Sequence, residues 1–225
     1  MSMTDRSNMK KLFLAIRHGD LELVKKIIEA KPELVNCTAK QPPKKDDGQS
    51  PLQVALKTEH LEIANYLIDA GADLNFMEDK SCCNEMRQPV LFDAITNAVF
   101  CSRWNVYYPT TGLEVKSTKE NFDAALYVLE RMLKNGADTS AVNSYGSNAI
   151  WKFVSDAGEI LPHYADHENH TYESGRVFTD ELREDLTRVF RLLVEYGADV
   201  DYVSPRWKRT VREFLNTPAL EIIGS

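Results

Sequence analysis

The stretch Leu61-Glu-Ile-Ala-Asn-Tyr-Leu-Ile-Asp-Ala70-Gly71-Ala72-Asp73 closes on a tripeptide that the chain uses three times. Gly-Ala-Asp recurs at Gly136-Ala137-Asp138 and Gly197-Ala198-Asp199, after the segments Ala125–Asn135 and Leu186–Tyr196. In all three segments apolar residues fall mostly three and four apart, which lines them along one side of a helix. A glycine past the last turn accepts the left-handed backbone that ends helices. Such a unit buries its apolar side only by stacking on copies of itself, so the repeat decides the architecture and points to binding rather than chemistry.

Upstream of the first of these helices lies Asp47-Gly48-Gln49-Ser50-Pro51-Leu52-Gln53-Val54-Ala55-Leu56. Asp-Gly is a tight-turn pair, Ser50 is placed to cap a helix, and Pro51 sits where a missing N–H costs nothing. Turn, short helix, loop, longer helix and glycine turn make one unit. It resembles the ankyrin repeat: Ser50-Pro51-Leu52-Gln53 stands where that family has threonine-proline-leucine-histidine, and Gly71 through Asn75 where it has glycine-aspartate-valine. The resemblance implies an all-α ankyrin-repeat solenoid of stacked helix-turn-helix units, about five including capping repeats. Laid along the chain, the units fall at about 8–46, 47–78, 86–142, 143–203 and 204–225, a single domain over 1–225.

The departures lie in the third and fourth units. Leu52 and Gly71 are 19 positions apart, whereas 45 positions separate Leu91 from Gly136 and 47 separate Ile150 from Gly197. The surplus of 26 and 28 residues falls between inner and outer helix, at 101–121 and 158–180. Insertions at matching points of adjacent repeats leave from one face. The two are therefore expected to meet as one lobe, with Trp104 or Tyr108 against Tyr164, Tyr172 or Phe178 as a small satellite core.

A chain of 225 residues, 43% hydrophobic and 27% charged, has the composition of an ordinary globular protein. Its net charge of −7 argues against a nucleic-acid partner, which calls for clustered cations. Two short basic runs, Lys40-Gln-Pro-Pro-Lys-Lys45 and Arg206-Trp-Lys-Arg-Thr-Val-Arg212, read as solvated surface. No apolar stretch reaches the ~18 residues of a membrane span, and Met1–Arg6 lacks the apolar core of a signal peptide. Cys37, Cys82, Cys83 and Cys101 have neither disulfide-framework nor zinc spacing, and reduced thiols in the cytoplasm are the expectation.

By the same resemblance, the partner is another protein, held without cofactor or catalysis on the concave face of inner helices and finger loops. That assigns contact to Gln53, Phe92 and Trp151 on inner helices and to Lys44, Lys45, Asp47 and Tyr145 on fingers. An inhibitor or immunity-type partner of one enzyme is a narrower form of the same reading, suited by the acidic balance. The alternative from a different class is a metal-dependent hydrolase centred on His163, His167 and His170. If helical, His163 and His167 share a face, with Asp166 or Glu168 as further ligand or base.

Overall fold

A computed structural model of the protein describes residues 3–166, 171–172 and 175–224. Helices α1 (Met3–Arg17) and α2 (Leu21–Ala30), α3 (Pro51–Lys57) and α4 (Leu61–Asp69), α5 (Val90–Phe100) and α6 (Lys119–Lys134), and α7 (Ala149–Ile160) and α8 (Asp180–Glu195) pack as successive pairs. The first helices of the pairs stack in one row, α1 on α3, α3 on α5 and α5 on α7, and the second helices in another, α2 on α4, α4 on α6 and α6 on α8. Two short helices, α9 (Val211–Phe214) and α10 (Ala219–Ile223), close the end of the stack against α7 and α8. One continuous core runs through it, with Leu12, Leu52, Leu91 and Phe153 fully buried along the inner row.

The Gly-Ala-Asp turn does the same job three times. Gly71, Gly136 and Gly197 sit at φ 87°, 92° and 86°, in the left-handed region. Each glycine N–H donates to the carbonyl three residues back, and each alanine N–H to the carbonyl five back, at 2.9–3.1 Å. That is the six-residue closure of a helix end, and it satisfies carbonyls the helix leaves open. The alanines are buried, and the aspartates take the next step: Oδ1 of Asp73, Asp138 and Asp199 accepts the N–H two residues on, at 2.9, 2.8 and 2.9 Å. Glycine sets the backbone, alanine fits the core, and aspartate starts the following loop.

An asparagine of the preceding unit grips the first two of these turns. The Asn36 amide donates to the Gly71 carbonyl (3.1 Å) and accepts from the Asp73 N–H (2.7 Å). Asn75 does the same to Gly136 and Asp138, at 3.1 and 2.8 Å. At the next junction the grip changes, and Thr139 Oγ1 donates to the Tyr196 carbonyl at 3.1 Å.

Helix starts follow from local chemistry. Ser50 accepts from the Gln53 N–H while the Gln53 side chain accepts from the Ser50 N–H, a reciprocal cap, and Thr210 and Glu213 repeat it at α9. Thr118, Asn148 and Thr179 cap α6, α7 and α8. These caps correct the expected extent of the insertions. Lys119–Asn121 already belong to α6 and Gly158–Ile160 still belong to α7, so part of the extra sequence lengthens helices. The inner helices α5 and α7 have 11 and 12 residues against 7 in α3, and the outer helices α6 and α8 have 16 each against 9 in α4.

What remains forms two antiparallel hairpins, β1 (Asn105–Tyr108) with β2 (Gly112–Val115) and β3 (Tyr164–Asp166) with β4 (Thr171–Tyr172). Among the described residues the two insertions touch through an amide and through the Trp104 ring, which faces Arg176. The buried Asn105 side chain donates to the Val177 carbonyl (2.8 Å) and accepts the Val177 N–H (2.9 Å), and the Tyr107 N–H donates to the Gly175 carbonyl (2.9 Å). Trp104 and Phe178 each face an arginine, Arg176 at 5.9 Å and Arg183 at 3.9 Å. The side chains of Tyr164 and Tyr172 lie outside the described residues, so the expected contact to them has no structural description.

A second clamp joins the first insertion to the fourth unit. Arg103 donates its Nε and Nη2 to the fully buried Asp185 carboxylate at 2.9 and 2.7 Å, and its own N–H adds a third bond at 2.9 Å. Nη2 also reaches Glu184 Oε2 at 3.1 Å, and the carboxylates raise the Arg103 guanidinium above its ordinary pKa. This bidentate pairing pins the root of the hairpin to α8.

Candidate partner-binding surface

Each connection between helix pairs folds into a finger, and the fingers are latched side by side. In the first, the Ala39 N–H donates to the Gln49 carbonyl (2.8 Å) and the Gly48 N–H to the Ala39 carbonyl (2.9 Å). Gly48, at φ 81°, lies against Cys82 of the second finger, where an added Cβ would come within 2.5 Å. The second finger binds the third by a pair of bonds: the Arg87 N–H donates to Ser144 Oγ (3.1 Å) and the Ser144 N–H to the Arg87 carbonyl (2.9 Å). The third meets the fourth where Gly146 packs on Pro205 and the Arg206 guanidinium lies 4.3 Å from the Tyr145 ring.

Asp47, expected to contact the partner, belongs to these latches. Its carboxylate accepts the Cys83 N–H (3.0 Å) and the Gln41 amide (3.2 Å), and these bonds hold its pKa below the ordinary carboxylate value. Its carbonyl accepts from Asn84 at 3.1 Å. The group is buried and already engaged.

Gln53, Phe92 and Trp151, expected as contacts on the inner helices, occupy the same place in each helix, as the repeat requires, and all three are buried. Fingers fold back over this position. Gln53 Nε2 donates to the Gln88 carbonyl (3.3 Å) and to Asp93 (3.4 Å), within a buried polar seam in which Glu78 accepts from Gln49 and from the Gln88 N–H. Gln88 Nε2 donates to Asp93 Oδ1 at 2.7 Å. Burial, reinforced by nearby Glu78, pushes the Asp93 carboxyl up to about 7, against the opposing pull of Lys57 and Lys152. Lys44 and Lys45 are exposed on the first finger, and Tyr145 is half-buried on the third.

Sequence reading missed the feature that crowns this edge. Trp207 packs on Phe214 (centroids 4.7 Å apart, planes tilted by 31°), Phe214 on Trp151 (5.3 Å, 42°), and the Arg206 guanidinium lies between Tyr145 and Trp207, at 4.3 and 4.9 Å. Trp207 and Phe214 nonetheless keep 38% and 40% of their surface exposed. Lys208, Arg209 and Arg212, close to them in sequence, are exposed. The signal in the sequence was a tryptophan inside the basic run 206–212, which reads as solvated charge until Phe214 and Tyr145 are brought beside it.

Of the histidine cluster only His163 is described. His163 is exposed, while His167 and His170 lie outside the described residues. Among the described residues no group of three or more His, Cys, Asp or Glu is placed to hold a metal ion. All four cysteines are free, and burial raises the Cys37 and Cys101 thiols to about 12 and about 11.

Stacked helix pairs, left-handed glycine turns and latched fingers define a helical repeat protein whose edge offers π faces and cations. Residues 2–101 match the family model for ankyrin repeats (3 copies). No curated protein matches the chain. Residues 2–101 are therefore ankyrin repeats, and the same helix pairing continues beyond them to α10.

Proposed function

We propose that the protein is a non-catalytic module that binds another protein along its finger edge, with the Tyr145–Arg206–Trp207–Phe214 stack as the energetic centre. The observation that carries this reading is the exposure of Trp207 and Phe214 within an ordered stack. Tryptophan, tyrosine and arginine dominate binding hot spots, and side chains already held in place lose little freedom on binding. Lys44 and Lys45 serve as peripheral contacts, while Asp47, Gln53, Phe92 and Trp151 hold the surface from below. The setting is the cytoplasm, in keeping with four free thiols. Among the described residues no helix is long and apolar enough to cross a membrane.

Inhibition of one enzyme is the narrower proposal. The net charge of −7 suits a basic enzyme groove, whereas the exposed finger groups are cations and suit an acidic partner. The test is parallel affinity capture from the native host with the wild-type chain and with Trp207→Ala/Phe214→Ala. A protein retained by the first and lost from the second is the expected result. Identical captures from both, with the variant's melting curve unchanged, would remove the stack from the interface.

A further inference from the structure

The other end of the molecule carries a groove that the aromatic stack does not account for. It lies between α1 and the first finger, with a volume of about 610 Å³. Phe13, Leu14 and Pro42 give it an apolar floor, and Arg6, Lys10, Arg17 and Lys40 stand around it. Phe13 is 3% exposed and anchored in the core, whereas Leu14 beside it is 50% exposed. A leucine left half in water above a cavity is an apolar surface without a partner, and its openness favours a chain lying along the groove over an enclosed small molecule, which would be buried by 70–90% or more.

Charge says what kind of chain. Four cations stand around one groove in a protein of net charge −7. Arg17 is paired with Asp46, which fixes the finger against α1, and Lys10 and Lys40 are exposed. Cations around an apolar floor complement a segment with carboxylates flanking one aliphatic or aromatic residue: the ring or branched chain reaches Phe13 and Leu14 while acids on either side meet Lys10 and Lys40.

We infer that the groove between α1 and the first finger binds an acidic segment of a partner protein through one apolar anchor residue. This rests on the reading of the chain as a protein-binding module and adds a second contact, with its chemistry, at the opposite end of the stack.

The probe is an acetylated, amidated peptide Glu-Glu-Asp-Phe-Glu-Glu, titrated into the ¹⁵N-labelled full chain at low salt. Amide shifts are expected in α1 and in Ala39–Gln41, fading as salt is added. In Lys10→Glu/Lys40→Glu the apparent affinity should fall about tenfold or more. Leu14→Ala should weaken it several-fold, as should replacing the peptide's Phe by Ala. All three protein positions are exposed, so the variants should retain the wild-type melting curve. Equal binding of a Lys-Lys-Lys-Phe-Lys-Lys peptide, shifts lying elsewhere, indifference to Lys10→Glu/Lys40→Glu, or occupation of the groove by oleate or a single-stranded oligonucleotide in preference to the peptide would overturn it. If capture depends on Trp207 and Phe214 yet the peptide leaves the groove silent, the groove fails alone. If the peptide binds there while the wild-type chain captures no protein, the module reading fails alone.

Discussion

The first two helix pairs and the next two solve one packing problem with different materials. In the first half, short helices of 7 to 10 residues, apart from α1, are keyed together by asparagine bonds to backbone and by latched polar fingers. In the second half, helices of 11 to 16 residues outgrow the standard unit, and their extra turns are tied by hairpins, by the Asn105 hook and by the Arg103–Asp185 clamp. The glycine turn is identical in both. A repeat therefore tolerates growth at the end of its helices remote from that turn, provided the added length brings its own cross-links.

The comparison is broken most severely by removing the end of the second half. Deletion from Ser204 onward takes away the buried Val211, Ala219, Ile222 and Ile223 and uncovers α7 and α8. The truncated chain should aggregate or melt well below the full chain, because a solenoid needs a terminal cover; an unchanged, soluble melting curve would contradict the stacking. Next is Asp185→Ala, which removes three of the Arg103 bonds and leaves its guanidinium only Glu184 and the Glu181 carbonyl. A loss of about 3 kcal/mol in urea unfolding is expected, with faster amide exchange in β1 and β2 and none in α1–α4.

The seam between the halves is the third place to press. Asp93 has a carboxyl raised to about 7 in the folded state, from an ordinary value of 3.8. Between those values the folded chain holds a proton that the unfolded chain releases, so stability falls as pH rises through that window and the loss is complete above about 7. The cost should reach about 2 kcal/mol between pH 5 and pH 8, and Asp93→Asn should flatten it. A wild-type stability that rises over that range, and a variant that leaves the slope in place, would refute the assignment.

A smaller change sharpens the contrast. Asn75→Ala, which removes an amide key between units two and three, should cost about 1 kcal/mol and raise exchange at Gly136–Asp138. The smallest effect belongs to His163→Ala/His167→Ala/His170→Ala, expected to stay within ~0.5 kcal/mol as surface changes do. Stoichiometric zinc in the parent that vanishes in this variant would revive the hydrolase reading.

What was legible in the sequence was what neighbouring residues decide. Gly71, Ser50 with Gln53, and the spacing of apolar residues act within one or two turns, and the helices they announce are present. Thr118 and Thr179 were equally local caps, but the surplus lengths on either side drew the boundaries of 101–121 and 158–180 past them. Long-range pairings left no trace in local pattern. Arg103 and Asp185 are 82 positions apart, and nothing in either neighbourhood announces the other. The burial of three site residues was hidden for a related reason. Counting along the motif put Gln53, Phe92 and Trp151 at equivalent places, yet whether such a place faces water depends on what folds back over it, and here Gln88 engages Gln53 while Phe214 packs on Trp151. Trp207 and Phe214 were the converse case, ordinary in spacing and distinctive only once stacked.

The keys Asn36 and Asn75 give the stack a direction. Each reads the turn of its successor, and it reads only main-chain groups, so it is indifferent to the helices that turn terminates. A unit copied in frame would arrive already carrying the grip for whatever follows it and the turn its predecessor expects. The change to Thr139 at the next junction marks where that interchangeability stops. The first three pairs are built like coupled wagons, whereas the fourth is fitted to the third and would travel only with it.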